Sequence, residues 1–269
     1  MWPVLFQVGD YDIGTYGLLV AIAMMSGLWV ARHLCRRDGL DPQAVNDMGL
    51  GVLFFGFLGS VLLGLFVSWQ NGVAFTVAEL RNAGAVHGGL LGALLSTFLL
   101  SRSSELPLRP LLDAFAPGAA LGQAIGRLGC FFSGCCFGTP SSAPWAVTFS
   151  QQDAHRLGGV PLHVSLHPVQ IYDLLLHLAL FAGLFYLHTN SRFWGRLVAV
   201  WCILEGVIRL LIETFRGDTG RGFLFGIEAL STGRVTALLL IAVGAFLLSK
   251  KLKNGAGDAA QTEAGLPAK

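Results

Sequence analysis

Apolar residues gather in seven blocks along the chain, near 13–31, 48–68, 83–100, 111–130, 168–188, 196–214 and 232–249, with polar or basic stretches between them. Each block is close to the ~20 residues that an α-helix needs to cross the hydrocarbon layer of a membrane. The pattern predicts an all-α integral membrane protein of seven transmembrane helices. The fourth and sixth blocks are the least uniform, because Arg127 interrupts one and Glu205, Arg209 and Glu213 interrupt the other. Residues 139–166 are polar and rich in Pro, Gly and His, and are expected to form a loop or small subdomain outside the bilayer. The stretch after Lys253 has the small, polar composition of a disordered tail. The expected organisation is one transmembrane domain over 1–253, carrying the 139–166 subdomain, and a tail over 254–269.

The basic residues give this pattern a direction. Arg32, Arg36, Arg37, Arg102, Arg109, Arg192, Arg196, Lys250, Lys251, Lys253 and Lys269 fall on one side of the seven-span arrangement. The other side holds Arg81, Arg156, Arg216 and Arg221, while Arg127, Arg209 and Arg234 lie within or at the edge of spans. Cytoplasmic loops carry the excess of Lys and Arg. The N-terminus is therefore expected outside, the C-terminus and tail in the cytoplasm, and the 139–166 subdomain on the outer, periplasmic side. Basic residues follow the first apolar block rather than precede it, so that block reads as a true span and not as a cleavable signal.

Composition agrees: 54% of the 269 residues are hydrophobic and 13% are charged, about half the charged share of an ordinary soluble domain. The 35 glycines suit helices that pack through small surfaces. The net charge of +2 excludes little by itself, but the basic residues are spread over short loops as topology signals, which argues against nucleic-acid binding.

Against this background Arg127 stands out, within Gly126-Arg-Leu-Gly-Cys-Phe-Phe-Ser-Gly-Cys-Cys-Phe-Gly138. A guanidinium stays protonated, and placing one at membrane depth costs at least ~2.5–3.5 kcal/mol. A carboxylate or a ligand phosphate must compensate it. Glu205, Arg209, Glu213 and Arg216 are spaced to share one face of the sixth helix, either as a self-neutralising ladder or as half of a phosphate clamp formed by Arg209 with Arg127. At the start of the third block, His87-Gly88-Gly89 suggests a bend where an imidazole and backbone N–H groups face a cavity. His167-Pro-Val-Gln170-Ile-Tyr172-Asp173 marks the re-entry into the membrane, as pocket lining or as helix cap and interfacial anchor. The remaining histidines, 33, 155, 163, 177 and 188, show no ligand spacing. Cys130, Cys135 and Cys136 do not match a zinc spacing, so no metal is expected; they read as small apolar residues, a disulfide or a reactive thiol.

Taken together, these segments resemble the bacterial prolipoprotein diacylglyceryl transferase family from about Tyr16 to the last span. The resemblance rests on Tyr16-Gly17, His87-Gly88-Gly89, the Gly126–Gly138 block, His167-Pro168-x-Gln170-x-Tyr172 and Arg209-x-x-x-Glu213-x-x-Arg216, all in order. It implies an enzyme of the bacterial inner membrane, without cofactor. Such an enzyme moves diacylglyceryl from phosphatidylglycerol, among the surrounding membrane lipids, to the lipobox cysteine of a secreted preprotein, forming a thioether and releasing glycerol phosphate. On this resemblance His87 is the candidate base for the thiol, Arg127 and Arg209 hold the lipid phosphate, and Glu213 orients an arginine. Tyr16, Gly88, Gly89, Gly138, His167, Gln170, Tyr172 and Arg216 are the further substrate-binding candidates. The chain departs from the family where Asn is frequent at position 130, Glu at 135 and Gln at 234, having Cys130, Cys135 and Arg234 instead. Two alternatives stay open. One is a divergent relative that uses another acceptor or hydrolyses the lipid; the other is a non-enzymatic phospholipid-binding or transport protein, although no internal repeat is evident.

Overall fold

The computed structural model describes residues 2–9, 11–70, 86–103, 108–190, 196–218 and 231–264. Long helices occupy the blocks read from hydropathy: α1 (Thr15–Arg37), α2 (Pro42–Gln70), α3 (Val86–Ser103), α4 (Leu108–Ser133), α6 (Val169–Asn190), α7 (Leu197–Glu213) and α8 (Thr232–Ala264). A short helix, α5 (Gln152–Gly158), lies between α4 and α6. Strands β1 (Val4–Val8) and β2 (Tyr11–Gly14) form an antiparallel hairpin before α1, and β3 (Val147–Thr148) pairs antiparallel with β4 (Ser165–Leu166). Residues 83–85 of the expected third span, and Arg81, Arg192 and Arg221, lie outside the described residues.

Among the described residues, four helical segments are long and apolar enough to cross a membrane: Thr15–Arg37, Val45–Phe66, Val169–Asn190 and Thr232–Ser249. In Val45–Phe66 only 6% of the apolar window is buried within the protein, and Phe54, Phe55, Phe57 and Leu62 are exposed. A chain folded in water would not leave such a face uncovered. Helix α8 continues to Ala264, so residues 254–264 are helical where a disordered tail is expected. Ala259, Ala260, Gln261 and Glu263 favour helix over coil there.

The chain divides into two compact units, Met1–Gly27 with Phe115–Lys269, and Leu28–Ala114. In the second unit α2 starts on Pro42, whose fixed φ suits a first helical position, after Asp41, whose carboxylate accepts the Gln43 N–H at 3.1 Å. Helices α2 and α3 meet along glycines: a Cβ on Gly89 would lie 3.3 Å from the Gly56 carbonyl oxygen, and one on Gly88 would collide with that of Gly59. The backbones approach this closely only because both helices present small residues.

In the first unit the main core lies between α4, α6 and α7, with Ala116, Ala120, Val169, Leu180, Leu184, Leu197, Ile208 and Ile212 buried together. Helix α8 closes on α7 through Gly206 and Gly244, where an added Cβ would come 2.6 Å from the carbonyl oxygens of Ala237 and Ala199 respectively. The polar stretch after α4 has its own small core of Phe149, Ala154, Val160 and Leu166, packed against Phe131 and Phe137. Arg156 ties this subdomain to the hairpin, with Nη2 2.7 Å from Asp12 Oδ2.

Candidate active site

Three helices of the first unit each contribute ionisable or polar residues at four-residue spacing, which puts them on one face: Gln123 and Arg127 on α4, Asp173 and His177 on α6, and Glu205, Arg209 and Glu213 on α7. Arg127 Nε lies 2.6 Å from Asp173 Oδ2. The other Asp173 oxygen is 2.9 Å from His177 Nδ1, which also meets the Asp173 carbonyl at 2.8 Å. His177 Nε2 is 2.9 Å from Glu205 Oε2, and Gln123 Nε2 donates to Glu205 Oε1 at 2.9 Å. The result is a continuous chain, Arg127–Asp173–His177–Glu205–Gln123, running through the core. Burying such groups is tolerable only because each meets a partner.

Arg209 Nη2 lies 3.1 Å from Glu213 Oε2, and Ser231 Oγ donates to Glu213 Oε1 at 2.6 Å. The same Ser231 oxygen accepts the Arg234 N–H at 3.2 Å, which caps the start of α8. Gly233 lies against the pair, where a Cβ would come 2.5 Å from Arg209 Nη2 and 2.7 Å from Glu213 Oε2. Of the four charges spaced from Glu205 to Arg216, Arg209 and Glu213 pair at i,i+4, and Arg216 lies within electrostatic reach of Glu213. Glu205 turns to His177 and Gln123, and Arg216 grips Asp218 with Nε–Oδ1 at 2.8 Å and Nη2–Oδ2 at 2.5 Å. The ladder is thus kept in part, as the Arg209–Glu213 pair, while Glu205 finds its partners on other helices.

Arg127, Arg209 and Arg216 lie within electrostatic reach of one another. Burial works against the Arg216 charge, but its hydrogen bonds to the Asp218 carboxylate reverse this and push its pKa upward. Among the described residues, Arg127 and Arg209 meet one carboxylate each, and their side chains remain 23% and 20% exposed. Three guanidinium groups held this way repel one another, and an anion shared between them relieves that repulsion.

Gly138 is a point of close backbone approach. Thr139 N–H donates to Phe215 O at 2.9 Å, Gly217 N–H to Phe137 O at 3.0 Å, and His167 N–H to Thr139 O at 3.0 Å, so residues 137–139 lie between two other segments. A Cβ on Gly138 would meet Val169 Cγ2 at 2.6 Å and His167 Cβ at 2.8 Å. Gln170 is buried and donates to Cys135 O at 2.8 Å. His167 Nδ1 is 3.2 Å from the Tyr172 hydroxyl, and both rings stack edge-on against Phe215. Trp145 Nε1 donates to the same hydroxyl at 2.7 Å. Tyr16, at the start of α1, packs over Gly129 and lies within electrostatic reach of Arg127.

The sequence candidates of the first unit are therefore brought together, but His167, Gln170, Tyr172 and Gly138 also shape the loop that carries the cysteines. Gly88 and Gly89 belong to the second unit and form the α2–α3 seam within a continuous helix rather than a bend. The side chain of His87 lies outside the described residues. Sequence reading missed Gln123, His177, Ser231 and Gly233. The available signal was the Asp173–His177 spacing on an otherwise apolar helix, which places two costly groups on one face.

A family model described as prolipoprotein diacylglyceryl transferase matches residues 3–250. The chain belongs to this family. It is 28% identical to the phosphatidylglycerol–prolipoprotein diacylglyceryl transferase of Clostridium tetani over 251 residues, covering 93% of this chain and 97% of the relative. With the protein of the same description from Nitratidesulfovibrio vulgaris it shares 30% identity over 279 residues, with 96% and 97% covered. The Synechococcus elongatus relative is 31% identical over 227 residues, with 81% and 78% covered. Membership in the prolipoprotein diacylglyceryl transferase family spans both compact units, and so takes in His87 as well as the arginine cluster.

Proposed function

We propose that the protein transfers diacylglyceryl from phosphatidylglycerol to the lipobox cysteine thiol of a secreted preprotein. The observation that carries this reading is the group of Arg127, Arg209 and Arg216 in mutual electrostatic reach, with Arg127 and Arg209 each steadied by one carboxylate. Family membership and the printed names of the relatives support the donor and the class of acceptor.

In this reaction the thiol gives up its proton, sulfur bonds to the terminal glyceryl carbon, and the bond from that carbon to the phosphate oxygen breaks. Glycerol phosphate leaves with the electron pair and one added negative charge. Arg127 and Arg209 hold the phosphate, with Arg209 at the leaving oxygen; fixed guanidinium groups in a water-poor site stabilise developing charge more than water does. Asp173 and Glu213 orient these two arginines. His87 is the base for the thiol. Tyr16, Gly138, His167, Gln170, Tyr172 and Arg216 shape the lipid and peptide site, and Gly88 and Gly89 are substrate-binding residues of the second unit.

The seven long helices cross the bacterial inner membrane, with the N-terminus and the 139–166 subdomain on the periplasmic side and the tail over 254–269 in the cytoplasm. The distribution of basic residues supports this orientation. The test is incubation of the purified protein with labelled phosphatidylglycerol and a lipobox peptide. Thioether-linked diacylglyceryl on the peptide cysteine is the expected product. Glycerol phosphate released without peptide modification would point to another acceptor, and tight lipid binding without turnover to a carrier.

A further inference from the structure

The Sγ atoms of Cys130, Cys135 and Cys136 all lie within 4.8 Å of one another, and all three thiols are free. Their convergence is built by the backbone. Cys130 sits in the last turn of α4, Cys135 N–H donates back to Cys130 O at 3.2 Å, and Gln170 holds Cys135 O from α6. Adjacent side chains on a regular strand or helix diverge. Here Gly134 and Cys136 adopt left-handed conformations, with φ of 75° and 56°, and both neighbouring thiols turn towards Cys130. A non-glycine residue is seldom found in that region, and such positions cluster at functional sites.

We propose that Cys130, Cys135 and Cys136 form a binding site for one thiophilic cation of the Zn2+ class. Three sulfur donors select soft d10 cations over Mg2+ or Ca2+, which take oxygen ligands. A Zn–S bond of about 2.3 Å in tetrahedral geometry places sulfurs about 3.8 Å apart, so the cluster closes on the ion with roughly 1 Å of side-chain movement. Metal binding releases the three thiol protons. The three thiolates and a divalent ion then carry one net negative charge beside Arg127 and Arg216, both within electrostatic reach of Cys136. The spacing Cys-x4-Cys-Cys hides this site from a motif search, because the left-handed turn does the work that a regular ligand spacing does elsewhere.

Three protein ligands leave the fourth tetrahedral position open. There an acceptor thiol can bind, giving its proton to solvent and a sulfur lone pair to the cation; this step alone rests on the transferase reading. Metal binding itself is measured without lipid or peptide, so it stands or falls apart from that reading.

The full chain in detergent is reduced, freed of reductant and titrated with Zn2+ against a chromogenic chelator. One equivalent is expected to bind, and Co2+ is expected to give sulfur-to-metal charge-transfer absorption. Cys130→Ser and Cys136→Ser should each weaken binding by more than about 100-fold, the upper end for loss of even a supporting residue. Cys35→Ser and Cys202→Ser should leave it unchanged. In the unmutated protein Zn2+ should protect three of the five thiols from alkylation. Alkylation of Cys130, Cys135 and Cys136 that Zn2+ does not slow, or the absence of stoichiometric uptake, would overturn the proposal, as would uptake that survives loss of all three cysteines. For the open position, the Co2+ spectrum should shift with a cysteine peptide and not with its serine analogue; an unmoved spectrum overturns the thiol step.

Discussion

Arg127 on α4 and Asp173 on α6 meet through Nε and Oδ2 at 2.6 Å, with Asp173 97% and Arg127 77% shielded at the side chain. The closest approach is made by Nε, and the fork of terminal nitrogens is the part suited to phosphate. The carboxylate thus steadies the arginine while leaving it able to take a second anion.

Breaking this contact should affect stability and turnover together. A double-mutant cycle over Arg127→Gln and Asp173→Asn is expected to show coupling within about 0.5–3 kcal/mol, the range for residues in one network, discounted towards the low end because the guanidinium is 23% exposed. Thermal unfolding in detergent reads the coupling. Additive losses would mean that the two residues act independently.

Arg209→Lys keeps the charge but not the planar fork. Transfer is expected to fall at least about tenfold, as expected when a bidentate contact becomes a point charge. Turnover near that of the unmutated enzyme would remove Arg209 from the phosphate site.

Gly233→Ala puts a methyl group where 2.5 Å separates an ideal Cβ from Arg209 Nη2. The guanidinium must move, and transfer should drop with little loss of folding because the displaced group is a side-chain end. By contrast, Ser231→Ala removes a helix cap and a Glu213 partner, and should cost about 1 kcal/mol of stability. Melting curves and transfer rates measured on both variants separate the two effects.

With His87 as the base, the rate carries a limb that rises with pH, because only a neutral imidazole accepts the proton. His87→Gln should be slow and lose that rising limb. A variant that retains the limb assigns proton removal to another group.

Gly88→Ala tests packing against binding. Its Cβ would clash with the Gly59 carbonyl and lie 2.6 Å from Leu63 Cβ, so the α2–α3 seam must open. A stability loss of about 1–3 kcal/mol is expected, typical of overpacking, and it should appear without lipid present. An unchanged melting temperature with weaker lipid binding would return Gly88 to a purely substrate-binding role.

The long helices and the cost of Arg127 were legible in the sequence because both are local consequences of lipid as solvent: a crossing helix must be about 20 residues long and apolar, and a charge within it is expensive wherever it points. The arginine and histidine motifs were legible in the same way, as isolated polar residues in apolar surroundings. Their partners were not. Gln123 reaches Glu205 across 82 residues and Gln170 reaches Cys135 across 35, and no spacing along the chain encodes such pairs. Glu205 reads as one rung of an α7 ladder until α6 brings His177 against it, and Gly88 and Gly89 read as a ligand bend until α2 supplies the opposing glycines. The three thiols are separated in any regular conformation, and two left-handed residues bring them together. The sequence by itself determined which segments must be helical and where charge would need an answer. The tertiary structure decided which carboxylate answers each arginine, because burial makes every polar group choose the nearest partner across helices rather than along one.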